Sequence, residues 1–437
     1  MTSLAIRGAQ VFHNGRFQDL EVRTDGPFIS QVASRVDTSG ARVIDASGLH
    51  LFPGIVDPQV HFRDPGLTHK EDLETATRAC AKGGVTSFCE MPNTIPLAIN
   101  QREIDNKHAI AARKCRVNWS FFGGATNTNL ADLKVMKRIC GIKVFLGAST
   151  GDLLVDDMNA LEKIFAETDK RRVIAFHCED EGVMKSTKSQ YDSRDDLRAY
   201  TAWRNVDVAY KSTQRVVGLA RKYQHRAHIL HVSSARECEL FIPRDTLITT
   251  EACPHHLLMN VEDNYGMGTL AKMNPPLKYR ADNRGLWEGL RSGRIGMIAT
   301  DHAPHLPAEK RQSIWKAPAG IPAVENSLAL ILDASNRGMC TLEQVAQWMC
   351  ENPAKAYAMK RKGFIQPGYD ADLTIVDPKA VHEVRNEDQL TKCGWSPWHG
   401  QKLTGRALTT IVRGKVVYED EQVNDDVRGS EIEFQIG

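Results

Sequence analysis

Short apolar runs alternate with longer amphipathic stretches through the middle of the chain, a pattern typical of repeated strand–helix units. Each run has the length of one buried strand, and each is followed by a segment long enough for a helix. The eight runs are residues 55–60, 85–90, 117–122, 142–146, 173–176, 228–232, 247–250 and 297–300. Because eight parallel strands close into a barrel, the pattern predicts an α/β fold of the (β/α)8 TIM-barrel type.

The two ends of the chain show a different pattern. Residues 4–48 contain short alternating segments separated by glycines, which is typical of small antiparallel strands, and residues 363–420 resemble them. We therefore predict a small composite β domain built from residues 1–52 and 363–437. The barrel is predicted to span residues 53–362.

Composition narrows the class of protein. The chain has 437 residues, of which 25% are charged and 42% apolar, as in ordinary soluble globular proteins. Fifty-six Lys and Arg residues against 54 Asp and Glu residues give a net charge of +2, so no strong field favours nucleic acid or an anionic membrane. The ten cysteines form no Cys-x-x-Cys pair, and the first residues show no export signal. We expect a cytoplasmic protein with free thiols and a small-molecule substrate.

Polar residues follow the predicted strands at the points where those strands end. In a (β/α)8 barrel all the carboxyl ends of the strands open onto one face, so side chains from distant parts of the sequence meet there. The residues concerned are His61, Arg63, Asn93, Lys143, His177, His231, Asp301, His302 and His305. Their types make metal chemistry the first hypothesis for this face.

Lys143 lies in an apolar strand, where a lysine is costly unless something pairs with it. Desolvation lowers the pKa of such a lysine, and the neutral amine can react with carbon dioxide to give a carbamate, an anion able to bridge two cations. The alternative is a lysine whose ammonium group extends to solvent at the strand end.

His177, His231 and Asp301 each end a predicted strand. Neutral imidazoles suit zinc ligation, and an aspartate at the exit of the eighth strand can hold a metal and accept a proton from water. Taken singly, each histidine has the alternative of a hydrogen-bonded core residue, and Asp301 that of a helix N-cap. The joint occurrence of these residues with His61 and Lys143 at five strand ends favours a metal centre.

Several longer segments are similar to the amidohydrolase superfamily and, within it, to the dihydroorotase family. They cover essentially the whole chain and are residues 52–54, 61–66, 90–94, 143–151, 274–277, 301–305 and 320–322, together with His231 and Glu325.

This resemblance implies reversible closure of N-carbamoyl-L-aspartate to L-dihydroorotate, a step of de novo pyrimidine (UMP) synthesis, on a zinc centre. It implies one or two Zn²⁺ ions per chain, with a carbamate of Lys143 as the bridging ligand. It also implies that His61 and Asp301 hold one ion and that His177 and His231 hold the other. Asp301 would move the proton. It further implies that the substrate is held by Arg63, Asn93, His305 and Asn274.

Arg63 has the planar fork that matches a carboxylate, which favours this substrate over neutral rings. Its alternative is an ion pair with Asp64 or Glu90. The resemblance also implies a homodimer, and leaves open an association with aspartate transcarbamoylase. Residues 306–319 are predicted to form a mobile cover over the site, with an ordinary surface connection as the alternative.

Gln59 stands where the family pattern has a histidine ligand on the same strand face as His61. An amide oxygen is a weaker zinc ligand than imidazole, but three protein ligands remain for each ion, which is the usual number at catalytic zinc. We therefore expect zinc binding and activity. Two alternatives stay open: a non-catalytic scaffold subunit partnering aspartate transcarbamoylase, and a hydrolase of hydantoin, dihydropyrimidine or allantoin rings.

Overall fold

The computed structural model describes residues 3–148 and 153–435. Its strands, in chain order β1–β19, are Ser3–Arg7, Gln10–His13, Arg16–Asp19, Glu21–Asp25, Phe28–Ala33, Ala41–Asp45, His50–Pro53, Ile55–Val60, Val85–Glu90, Asn118–Gly124, Gly141–Phe145, Ile174–His177, Ala227–Ile229, Ile248–Ala252, Met297–Ile298, Leu373–Glu383, Lys402–Val412, Lys415–Glu419 and Gln422–Val423. Residues 149–151, part of one segment with family resemblance, lie outside the described residues.

Thirteen α-helices are assigned in the described parts of the chain. In order, α1–α13 are Leu73–Lys82, Gln101–Lys114, Leu130–Val135, Met158–Glu167, Glu181–Thr187, Leu197–Trp203, Val206–Tyr223, Pro254–Leu258, Arg280–Ser292, Pro307–Lys310, Ser327–Asn336, Leu342–Ala346 and Asn352–Ala356. Three short 3₁₀ segments are Lys188–Gln190, Glu237–Leu240 and Tyr265–Ala271, and a π turn at Gln347–Glu351 joins α12 to α13.

Strands β8 to β15 form one parallel sheet in sequence order, with helices packed around it. The eight strands coincide with the eight predicted apolar runs to within a few residues at each end. The sheet closes where Val60 pairs in parallel with His302, and His61 N–H donates to the His302 carbonyl at 2.7 Å. The predicted (β/α)8 barrel is confirmed.

A buried carboxyl group fastens this closure from inside the barrel. Asp57 on β8 accepts hydrogen bonds from the Thr300 hydroxyl at 2.6 Å and from the Thr300 backbone N–H at 3.1 Å. Burial raises the pKa of Asp57 to about 7 even though these bonds favour its charged form. Asp57 thus fixes the first strand to the segment that follows the last. The site residue Gln59 lies two residues beyond Asp57, and Asp301 directly follows Thr300.

The remaining strands form two sheets that mix the two ends of the chain. One has the order β5-β4-β1-β6, and the other β19-β18-β17-β16-β7-β2-β3. The sequence led us to expect antiparallel strands here, but two pairs are parallel: β1 with β6, and β2 with β7. Two parallel neighbouring strands cannot be joined by a tight hairpin turn and need a long connection between them. A pattern of alternating residues does not reveal the direction of the neighbouring strand.

The interior of these two sheets draws on both chain ends. Leu4, Ile6 and Val22 pack in one buried cluster with Leu373 and Ile411. The last segment does not stay with these sheets, because the Ile432 N–H donates to the Trp119 carbonyl on barrel strand β10. The division at residues 52/53 and 362/363 stays a prediction.

All ten cysteines are buried and free of disulfides. No helix in residues 3–148 or 153–435 combines the length and the apolar character needed to cross a membrane.

Thr300→Val tests the barrel closure. The substitution keeps the side-chain shape but removes the hydroxyl that bonds the buried Asp57 carboxyl, so we expect the free energy of unfolding to fall by about 1–3 kcal/mol. Chemical denaturation measures the change, and Thr300→Ser, which keeps the hydroxyl, is the matched control. Equal stability of the valine variant and the wild type would show that the closure does not depend on this bond.

Candidate active site

A cavity opens at the carboxyl ends of the barrel strands. It is lined by Gln59, His61, Arg63, Asn93, Lys143, Phe145, His177, His231, Asn274, Asp301, Ala303, Ala319 and Gly320. Nine of the ten residues considered from the sequence as metal or substrate ligands, Gln59 included, are in this set. The tenth, His305, lies directly behind it, with Nε2 at 3.3 Å from an Arg63 guanidinium nitrogen.

One pair of potential metal ligands is formed by His61 and Asp301. The His61 Nε2 atom lies 3.2 Å from Asp301 Oδ1, while His61 Nδ1 is 2.7 Å from the Asn93 Oδ1 atom. A ring that donates Nδ1–H to Asn93 keeps its lone pair on Nε2, facing the carboxylate and the cavity. Asn93, which we expected at the substrate carboxylate, thus also orients a candidate metal ligand.

Gln59 lies on the same side of this pair. Its Nε2 amide group donates to Asp301 Oδ1 at 3.0 Å, and its Oε1 atom is buried without a hydrogen-bond partner among the described residues. The glutamine is therefore a hydrogen-bond donor to the neighbouring carboxylate, at the position where the resemblance implied a histidine ligand.

The second pair of potential ligands is His177 and His231. His177 Nδ1 lies 3.0 Å from His231 Nε2, and His177 Nε2 lies 2.9 Å from the Glu179 carboxylate. Burial lowers the pKa of both histidines, so both imidazoles are neutral near pH 7. Neutral rings with lone pairs in the cavity are the form that binds metal ions.

Glu179 and Arg204 are functional residues that the sequence analysis missed. Although burial acts to raise the pKa of Glu179, the Arg204 guanidinium and His177 hold it well below its usual range. Arg204 Nε donates to Glu179 at 3.0 Å, and the pair is buried. A carboxylate behind a histidine fixes the orientation of the ring as a metal ligand. The available signal was the spacing, since Glu179 is two residues beyond His177 in an extended segment.

Lys143 reaches into the cavity without a carboxylate partner among the described residues. The residue is 1% exposed, so the ammonium group does not extend to solvent, and its Nζ lies 4.3 Å from the centre of the Phe145 ring. Burial lowers the pKa of Lys143 to about 7. About half of such an amine is neutral at pH 7, the form that reacts with carbon dioxide.

Arg63 is a buried cation, 2% exposed. Its Nε and Nη1 atoms have no hydrogen-bond partner in residues 3–148 and 153–435. The alternative of an ion pair with Asp64 or Glu90 is wrong, because Asp64 pairs with Lys114 at 2.7 Å and Glu90 with Lys107 at 2.9 Å.

Three residues of the cavity have left-handed backbone conformations, which residues other than glycine rarely adopt. Their φ angles are +66° at Arg63, +37° at His231 and +48° at Asp301. Each costs on the order of 1–3 kcal/mol, which the surrounding structure offsets. The conformations turn side chains at strand ends into the cavity, and such outliers concentrate at functional sites.

The loop predicted as a cover forms part of the cavity wall through Ala319, next to Gly320. It includes α10, and its Lys310 ammonium donates to the carbonyl oxygens of Lys272, Pro318 and Gly320 at 2.9–3.0 Å. The loop is thus packed onto the barrel through a buried lysine. Its mobility stays a prediction.

Asn274 lines the cavity from another side. Its amide lies 2.6 Å from the Tyr200 hydroxyl, and Tyr200 in turn contacts Arg204. The buried chain Asn274–Tyr200–Arg204–Glu179 therefore links the cavity wall to His177.

The chain belongs to the amidohydrolase family, whose model matches residues 50–417. Metal ions are general cofactors of this family. The prediction of an enzyme of the amidohydrolase family is confirmed.

Among curated relatives, the dihydroorotase of Halobacterium salinarum is 35% identical over 416 residues, covering 95% of this chain and 96% of the relative. The allantoinase of Salmonella choleraesuis is 31% identical and covers 96% of this chain and 95% of its own length. Among solved structures, the L-hydantoinase (dihydropyrimidinase) of Arthrobacter aurescens superposes with a TM-score of 0.91 at 28% identity, covering 97% of this chain and 98% of that one.

Glu179→Gln tests whether the carboxylate behind His177 supports metal binding. The neutral amide can still contact the ring but no longer holds its tautomer through a charge, so we expect affinity for a divalent metal ion to fall about 10- to 100-fold. Competition with a chromogenic chelator measures this affinity. Thermal unfolding of the same variant separates a loss of metal binding from unfolding caused by the unpaired Arg204.

The control is Glu167→Gln, which removes a carboxylate from a surface pair with Lys134. Unchanged metal affinity in Glu179→Gln would contradict this role.

Proposed function

We propose that the protein is a dihydroorotase, a zinc-dependent cyclic amidohydrolase that interconverts N-carbamoyl-L-aspartate and L-dihydroorotate in de novo pyrimidine synthesis. Two observations support the proposal: the relatives named dihydroorotase match over almost the whole chain, and the cavity contains Arg63. The guanidinium of Arg63 is the observation that carries the choice of substrate.

A buried guanidinium with unpartnered N–H groups requires an anion to complete it. Burial lowers the pKa of Arg63 to about 10, so the group stays charged near pH 7. Dihydroorotate and carbamoyl aspartate both carry a carboxylate that ring closure leaves unchanged, and such a group can accept N–H bonds from a guanidinium. A neutral hydantoin or allantoin ring would leave the charge uncompensated, at a cost of several kcal/mol.

His61, Asp301, His177 and His231 would hold the zinc ions in two pairs, with a carbamate on Lys143 as the ligand common to both. Each ion then has three protein ligands without Gln59. The donor set fits, because His61, His177 and His231 line the cavity together with the Asp301 carboxylate. The Lys143 amine has no competing carboxylate in the described part of the chain. Because Gln59 supplies an amide where the family pattern has imidazole, we expect the ion at His61 and Asp301 to bind more weakly.

The bound ions would supply Lewis acidity toward the ring amide carbonyl and lower the pKa of water. The residues of the chain do the rest of the chemistry. Asp301 accepts a proton from the attacking water and delivers it to the ring nitrogen as the C–N bond breaks. Arg63, assisted by His305, Asn93 and Asn274, holds the substrate so that its amide carbonyl faces Asp301.

Two alternative functions remain to be tested. Hydrolysis of a neutral ring is favoured by the similarity to allantoinase and L-hydantoinase. A non-catalytic scaffold is favoured only by Gln59. A homodimer and an association with aspartate transcarbamoylase also stay predictions drawn from the resemblance. A cytoplasmic location stays a prediction drawn from the first residues and the cysteine pattern.

Arg63→Met tests the substrate. The variant keeps an apolar side chain of similar length but removes the cation, so kcat/KM for dihydroorotate should fall at least about 10- to 100-fold, mainly through KM. Steady-state assays with dihydroorotate, hydantoin and allantoin in parallel measure the effect. The zinc content should match that of the wild type.

A wild-type preference for hydantoin or allantoin would overturn the substrate assignment. Loss of zinc from Arg63→Met would show that the residue belongs to the metal centre.

Lys143→Ala tests the bridging ligand. Wild-type protein purified without chelator should contain about one to two catalytic zinc ions per chain, and the alanine variant should lose most of this metal together with activity. NMR of protein equilibrated with ¹³C-bicarbonate should show a carbamate signal that is absent from the variant. Full activity in Lys143→Ala would rule out the carbamate, and a wild type without metal or activity would favour the scaffold.

A further inference from the structure

A second group of potential metal ligands lies behind the cavity. Cys253, His255 and His256 are consecutive with Pro254 at the start of α8, directly after barrel strand β14. One donor atom from each of the three side chains lies within 4.8 Å of the other two. None of the three lines the cavity, although His255 and His256 are close enough to His231 to act electrostatically on it.

The polar atoms of this cluster are buried and mostly unpartnered. The three residues are at most 2% exposed. Both ring nitrogens of His255 and Nδ1 of His256 have no hydrogen-bond partner among the described residues. Leaving a buried polar atom unpaired costs about 1–3 kcal/mol, so three such atoms at one point call for a ligand.

His256 is already oriented as a metal ligand would be. Its Nε2 atom lies 2.9 Å from the Pro275 carbonyl, to which it can only donate. The ring therefore carries its proton on Nε2 and its lone pair on Nδ1, the atom that lacks a partner. A histidine that donates one N–H to a backbone carbonyl and offers the other nitrogen is the usual arrangement at metal sites.

The charges around the cluster also favour a cation. Burial, together with Glu251, Asp301 and Asp57, raises the pKa of the Cys253 thiol well above its usual range, so the thiol loses its proton only when a cation binds. A divalent ion with one thiolate and two neutral imidazoles has a net charge of +1, which these acidic groups stabilise.

We propose that Cys253, His255 and His256 bind an additional, structural metal ion of the zinc type. One thiolate and two imidazoles are ligands that zinc prefers, and a water molecule can complete a tetrahedral shell. Zinc lies about 2.0–2.3 Å from such donors, so the three side chains need to close by on the order of 1 Å around the ion. Since the site is buried, the ion enters while the chain folds.

The ion would fix the turn that connects β14 to α8. This turn is bound to the rest of the barrel face through Asn283, whose amide donates to the His256 carbonyl at 2.7 Å. The turn also contacts Pro275 through His256, and Pro275 directly follows Asn274 of the cavity wall.

Cobalt substitution distinguishes this site from the catalytic centre, whose proposed ligands contain no sulfur. Protein expressed in defined medium with Co²⁺ in place of Zn²⁺ should show a thiolate-to-cobalt charge-transfer band in the near ultraviolet. The zinc-grown wild type should contain one zinc per chain more than Cys253→Ala. The band should be absent from Cys253→Ala and weakened or shifted in His255→Gln.

The matched control is Cys80→Ala, since Cys80 is equally buried in α1. It should keep both the band and the metal content. A wild type without the band overturns the proposal even if the variants fail to fold. A band that survives in Cys253→Ala, or that Cys80→Ala also abolishes, overturns it as well.

Discussion

The site depends on the closure of the barrel between its first strand and the segment after its last. Asp57 bonds Thr300 by both the hydroxyl and the backbone N–H, and this contact places Asp301 beside His61 and Gln59, some 240 positions away along the chain. Without the closure, Asp301 and His61 would lie on two separate edges of an open sheet. Closure costs the burial of a carboxyl group, which is visible in the raised pKa of Asp57.

Within the closed barrel, the balance of charge in the cavity organises the chemistry. Lys143 and Arg63 are buried cations, and Asp301 is the carboxylate that lines the cavity with them. Burial disfavours the charged form of both side chains, and the two respond differently. The pKa of Lys143 drops until the amine can exist neutral and accept carbon dioxide, whereas Arg63 stays charged and needs an anionic substrate. The same desolvation would thus yield the proposed metal ligand at Lys143 and the proposed specificity determinant at Arg63.

The sequence was sufficient for the residues whose role follows from position on a strand. A strand repeats its faces every two residues and barrel strands end on one face, so His61, Lys143, His177, His231 and Asp301 could be placed together in advance. The partners behind them could not. Arg204 lies on the segment after α6 and reaches Glu179 only through tertiary packing, and Lys114 and Lys107 take up the carboxylates that seemed available to Arg63. Parallel pairing in the terminal sheets was likewise beyond a pattern that reports alternation but not strand direction.

Gln59 shows how one substitution changes more than a ligand count. A histidine at this position would present a lone pair to a metal ion, while the glutamine donates an N–H to Asp301 Oδ1, the oxygen that also faces His61. In this chain, the residue proposed to move the proton is therefore held by a neighbour that would leave the proposed metal site one imidazole short of the pattern that the resemblance implied. The preserved pairs around it, His61 with Asn93 and His177 with Glu179, keep the remaining donors oriented, so the loss affects binding strength and proton transfer more than the architecture of the site.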